Sequence, residues 1–217
     1  MPSTAEPALS PALARRLAGV VPANLHLDAA WTAIRAARDA ARQTAPSPSP
    51  SLMLAWCITR AMEKHPAFRG HVQENGSIAV RADFELGVSV ALGGDRVATA
   101  VIPAANRLDW PGFAAAYARA VADVRAGRQE NVQAPLILTS LGAHGIEVAT
   151  PIVVPPAMST LAIGQAHVRM LSAGGVVAPV EVVTLSLAFD HRVVNGVGAA
   201  AFLHDVKGLI EGFTLPK

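Results

Sequence analysis

Apolar residues recur at helical spacing in "LDAAWTAIRAARDAARQ", through Leu27, Trp31, Ile34 and Ala37 or Ala41, with Asp28 near the start and arginines toward the end. That pattern predicts one amphipathic helix over the whole stretch. Before it, "ALARRLAG" predicts a short helix ended by Gly19. "TAPSPSPS", residues 44 to 51, alternates Pro with Ser and predicts a loop. "LMLAWCITRAMEKH" then predicts a helix stopped by Pro66, whose ring disfavours helical geometry at the residue before it.

From about residue 76 the pattern shortens to runs that suit strands, "GSIAVRA", "LGVSVAL" and "RVATAVI", the middle one setting Leu86, Val88 and Val90 on one face. "LDWPGFAAAYARAVADVRAGR" predicts a further helix, with Phe113, Tyr117, Val121 and Val124 along one side and Gly127 at its end. "PLILTSLG", "TPIVVPP", "STLAIGQAHVRML" and "VVAPVEVVTLSLAF" predict strands cut by Gly and Pro, and a last helix runs through Phe202, Val206 and Leu209. Helices and strands are mixed without a strict alternation or an internal repeat, so the class indicated is α+β or mixed-sheet α/β. A Pro, Ser and Ala-rich arm over residues 1–11 precedes a single domain over 12–217.

Composition narrows the functions. With 52% hydrophobic and 16% charged residues the chain can build a large core and a buried subunit interface. Its formal charge of +2 is the difference between 18 basic and 16 acidic residues, and no Lys or Arg cluster forms a stripe suited to a phosphate backbone, so nucleic acid is not an expected partner. No apolar run is long enough to cross a bilayer, no secretory leader is evident, and the single Cys57 lies in an apolar segment; a soluble cytoplasmic protein with no membrane partner is expected. The seven histidines are scattered without a metal-binding signature, so no metal is expected.

The informative stretch is "FDHRVVNGVGAAAF", residues 189 to 202, where His191 stands as the chain leaves a buried strand and Gly196 is expected to let it turn into the last helix. A rigid element can fix such a side chain while its tip stays accessible. A lone histidine is nonetheless more often structural than catalytic, and the residues around it decide.

"LSLAFDHRVVNGVGAAAFLHDVKGLIE" resembles the C-terminal motif of the acyltransferase core of 2-oxoacid dehydrogenase complexes, in which a strand ends in Asp-His-Arg, two apolar residues, then Asp-Gly and a helix. Chloramphenicol acetyltransferases share that spacing. Upstream, "LILTSLGAHGIEVATPIVVPPAMSTLAIGQ" resembles the family's Ser or Thr segment, and "LARRL" and "AMEKHPAFRG" resemble its first helix and the proline-ended helix, so the likeness covers about residues 12 to 212. It implies a chloramphenicol acetyltransferase-like mixed sheet flanked by helices.

The resemblance also implies roles. His191 is the general base that takes the acceptor's proton, and Thr139 the hydroxyl that hydrogen-bonds the oxyanion, with Ser140 one residue away as its rival. Asp190 and Arg192 shape the turn. Asn195 departs from the family's usual Asp, which keeps size and hydrogen bonding but removes a charge; an ion pair to Arg16 is then absent, and activity is retuned or lost. His144 and His204 are second candidates. No G-x-S-x-G elbow is present, so transfer is direct.

Acetyl-CoA as donor substrate, a small-molecule acceptor and a homotrimer with sites between subunits follow from the same resemblance. No lipoylation hairpin is visible in this chain, so no lipoyl group is expected on it, and O-acetylation of a hydroxyl in a tetronate-like natural-product pathway leads. Two alternatives stand beside it: a dihydrolipoamide acyltransferase core served by separate lipoyl partners, and a silent trimeric scaffold.

Overall fold

A computed structural model describes residues 11–42, 47–73, 77–94, 96–128 and 133–216. The expected N-terminal arm lies outside the described residues except for Pro11, which begins helix α1 (Pro11–Leu17). The remaining helices are α2 (Thr32–Ala41), α3 (Pro50–Lys64), α4 (Trp110–Arg125) and α5 (Gly196–Glu211). The strands are β1 (Pro22–Ala30), β2 (Gly70–Val72), β3 (Ile78–Val80), β4 (Leu86–Leu92), β5 (Arg96–Ile102), β6 (Leu136–Ser140), β7 (Ser159–Ile163), β8 (His167–Ala173) and β9 (Val176–Asp190).

Seven strands form one mixed sheet in the order β1-β9-β7-β6-β4-β5, with β8 pairing the first half of β9; β2 and β3 make a separate two-stranded sheet. β6 runs parallel to both β4 and β7, and the other ladders are antiparallel. Parallel neighbours require a crossover, and residues 141–158 supply it by returning the chain from the end of β6 to the start of β7.

Helices cover one face of this sheet. Leu136, Leu138, Leu161, Ile163, Leu185, Leu187 and Phe189 turn toward them and join α3 and α5 residues in one buried cluster, where Phe68 stacks on Phe202 at 4.0 Å. Burying each such side chain contributes about 1.5–3 kcal/mol. The helix starts are locally encoded: Ser49 accepts the N–H of Leu52 ahead of Pro50 in α3, and Asp109 accepts the N–H of Gly112 in α4.

Three expectations are corrected. The stretch from Leu27 is not one helix: residues 22–30 form β1, paired over its whole length with β9, and helix begins only at Thr32. "TPIVVPP" forms no strand, because its prolines cannot donate to a ladder; it contains the cis Pro155-Pro156 bond. "STLAIGQAHVRML" is two strands, separated at residues 164–166.

Candidate active site

His191 follows directly on β9, and the turn that presents it is built from the residue before it. The Asp190 carboxylate, 3% exposed as a residue, accepts the main-chain N–H of Arg192 at 3.1 Å, the Arg192 Nε at 2.9 Å and the N–H of Val21 at 3.4 Å. Its carbonyl oxygen accepts the N–H groups of Val193 and Val194, and the His191 N–H donates to the Val21 carbonyl at 2.8 Å. The backbone of His191 is therefore held from both sides while its imidazole is exposed, 5.7 Å between ring centroids from Phe189.

Burial pushes the Asp190 carboxyl up, but hydrogen bonds from the Arg192 side chain, the Arg192 main chain and the Val21 N–H outweigh it and hold the group below the usual carboxylate range. These bonds hold the turn after β9.

α5 starts at Gly196, five residues after His191. Asn195 occupies its N-cap position, exposed and without a side-chain capping hydrogen bond, and no acidic residue stands in the first turn. Gly196 needs no glycine geometry: its φ is not positive and an added Cβ would meet nothing within 4 Å, so the expectation that it enables the turn is corrected. Arg16 is exposed on α1, and among the described residues its guanidinium makes no ion pair.

Thr139 lies near the end of β6, half-buried, on the sheet face turned away from the helices; Ser140, its neighbour, is exposed and points to the opposite face. Register fixes its distance from His191. Thr139 pairs with Ala162 on β7, Ala162 pairs with Ser186 on β9, and His191 is five residues beyond Ser186. At the ordinary strand rise that is roughly 17 Å along the strand, in addition to about 10 Å across two strand spacings. One chain does not bring the two side chains together.

The second candidates divide between the same two regions. His144 is exposed in the turn after β6, on the Thr139 side, and His204 is exposed on α5. The Thr139 end depends on Gly164: a Cβ there would stand 1.8 Å from the Glu147 carbonyl oxygen. That close approach, not visible in the local pattern, seats the loop carrying His144. The larger described cleft, about 600 Å³ between α3, α4 and the C-terminal tail, includes neither His191 nor Thr139 in its walls. Among the described residues, no group of three or more His, Cys, Asp or Glu is placed to hold a metal. No helix of the described residues is long and apolar enough to cross a membrane.

A mixed sheet covered by helices on one face thus presents a histidine at the end of β9, which lies between β1 and β7. The catalytic domain of the 2-oxoacid dehydrogenase acyltransferases matches residues 10–216, and the chain belongs to that family. It is 34% identical over 154 residues to the dihydrolipoyllysine-residue acetyltransferase component of the acetoin cleaving system of Bacillus subtilis strain 168, a match covering 70% of this chain and 38% of that protein. The dihydrolipoamide acetyltransferase of Azotobacter vinelandii superposes with a TM-score of 0.83 at 23% identity, over 92% of this chain and 85% of that one; the roles of a serine, a histidine and an asparagine in its catalytic mechanism have been investigated. A chloramphenicol acetyltransferase superposes with a TM-score of 0.57 at 13% identity, over 90% of this chain and 92% of that one, in agreement with the expected fold.

Proposed function

We propose that this domain moves an acyl group between CoA and a dihydrolipoyl thiol, using His191 of one copy and Thr139 of another, in a homotrimer. One observation carries the reading. The serine, histidine and asparagine studied in the Azotobacter protein are 52 and four positions apart along its chain, and Thr139, His191 and Asn195 repeat both intervals. Asn195, a departure by the sequence reading, is thus the residue type that the Azotobacter protein uses four positions after its histidine.

The O-acetylation that leads in the sequence reading gives way to its alternative, because the Bacillus and Azotobacter relatives both bear dihydrolipoyl acetyltransferase names. With acyl-CoA as donor, His191 takes the proton of the dihydrolipoyl thiol, and the sulfur attacks the thioester carbonyl. The Thr139 hydroxyl donates to the oxyanion, and collapse breaks the carbon–sulfur bond to CoA, whose thiolate recovers the proton from His191. Acyl and proton balance without a covalent enzyme intermediate.

The register supports sharing between copies, since one chain holds the two groups at opposite ends of the sheet. The test is release of CoA from acetyl-CoA with dihydrolipoamide and, separately, with simple alcohols. Turnover with the dithiol is expected, reduced on the order of a hundredfold or more in His191→Ala and in Thr139→Ala. Turnover with alcohols alone supports O-acetylation, and turnover with neither supports a scaffold. Mixed oligomers of the two variants should regain activity; mixed assemblies that stay inactive rule out a shared site.

A further inference from the structure

Away from the acyl site, α2 gathers charge that its sequence spacing disguises. Arg35, Arg38 and Arg42 lie at i, i+3 and i+7, and the fold turns all three into one cleft of about 360 Å³. Trp31, Ile34, Asp39 and Pro50 complete the walls. Pro50 is the first residue of α3, so the amino end of a 15-residue helix, with its partial positive charge, borders the same space.

Carboxylates answer only part of this charge. Arg35 pairs with Glu181 and Arg42 with Asp39, the latter at 3.2 Å with both side chains more than half exposed. Exposed pairs of this kind are weak and exchange readily. The Arg38 guanidinium has no carboxylate partner among the described residues, although its carbonyl accepts the Ser47 hydroxyl. Three planar forks around one uncompensated charge suit an anion with several oxygens, since guanidinium matches phosphate geometry with paired hydrogen bonds.

The structure assigns to this cleft a binding site for a small phosphate-bearing molecule, centred on Arg38 and flanked by Arg35, Arg42 and the indole of Trp31. The cleft is on the helical side of the sheet, whereas Thr139 faces the other side, so the site is separate from acyl transfer. The Arg42 and Arg35 forks leave their carboxylates when the phosphate enters, which makes binding sensitive to salt.

Pyrophosphate titrated into the full chain, followed by calorimetry and by tryptophan fluorescence, tests the assignment. Saturable binding with one site per chain is expected, weakened about tenfold or more in Arg38→Gln and abolished in Arg38→Gln/Arg42→Gln, with the loss of charge-assisted hydrogen bonds. Arg38→Lys keeps the charge but not the fork and should fall between wild type and Arg38→Gln. Trp31→Phe should remove the fluorescence change while leaving the calorimetric signal, and His191→Ala should bind as wild type. Absence of saturation in wild type, equal affinity in the double arginine variant, or loss of binding in His191→Ala overturns the assignment; circular dichroism on each variant separates lost binding from lost fold.

Discussion

The N–H of His191 donates to the carbonyl oxygen of Val21 at 2.8 Å, while the N–H of Val21 donates to the carboxylate of Asp190 at 3.4 Å, so the residue just ahead of β1 clamps the turn after β9. Asp190 is the part of the clamp that can be removed cleanly. Asp190→Ala leaves the Val21 and Arg192 N–H groups without their acceptor and is expected to destabilise by about 2–3 kcal/mol. Arg192→Gln, whose side chain is half exposed, should cost less. The folded-state titration of Asp190 lies below its ordinary value, so its contribution is fully present above the ordinary carboxylate range and is lost as pH falls through the lowered value. Urea unfolding of wild type and Asp190→Asn should therefore differ at neutral pH and converge in strong acid. Curves that stay parallel would remove the carboxylate from the account.

Cys57 is buried on α3 and its thiol donates to the Leu209 carbonyl on α5 at 3.5 Å. Burial pushes this thiol up to about 12, the larger effect, and a hydrogen bond with the main chain of Cys57 itself opposes it. The thiolate is the reactive form, so the native protein is expected to resist a disulfide reagent at pH 8 and to react with one equivalent per chain once unfolded. Because the raised value belongs to the folded state, this group's contribution to stability is intact below the unfolded thiol's range and declines as pH rises from there toward 12. Rapid labelling of the folded chain would show that α3 and α5 separate in solution.

Much of the fold was legible because local signals agreed with it. α3 and α4 carry their caps and prolines in sequence, and β4 sets Leu86, Val88 and Val90 on one face visibly. β1 was not legible, since Leu27, Trp31 and Ile34 satisfy a helical spacing while Ala23, Leu25, Leu27 and Ala29 also satisfy a period of two; nine residues of pairing with β9 decide between them. The residue types of the site were readable from the motifs around Thr139 and His191. Their placement on different copies was implied only by the resemblance, because the distance within one chain depends on β7 lying between β6 and β9, a strand order that no local pattern records.

Two glycines illustrate the difference between a residue the fold requires and one it merely contains. A Cβ on Gly164 would overlap the Glu147 carbonyl at 1.8 Å, a clash with backbone that no side-chain rotation relieves. Gly164→Ala is expected to destabilise by about 3 kcal/mol or to abolish folding, with the loop after Thr139 displaced first. At Gly196 the same change meets open space at the first position of α5 and should stabilise the isolated chain by about 0.5–1 kcal/mol. Thermal unfolding of both variants checks the contrast, and a destabilised Gly196→Ala would mean that a neighbouring copy packs against that position.

Asn195 allows a structural role and a chemical one to be pulled apart. At an N-cap, a side chain that accepts an N–H from the following turn commonly contributes about 1 kcal/mol, yet Asn195 makes no such bond. Asn195→Ala should consequently leave unfolding within about 0.5 kcal/mol of wild type, while lowering turnover with acetyl-CoA and dihydrolipoamide if the amide serves the reaction as proposed. Asn195→Asp places a negative charge at the positive end of α5 and is expected to stabilise the protein by about 0.3–1 kcal/mol. Measuring kcat and KM beside the unfolding midpoint separates the outcomes: a fall in kcat without a fall in stability assigns the amide to chemistry, whereas equal turnover in all three proteins would make the residue at this position a bystander.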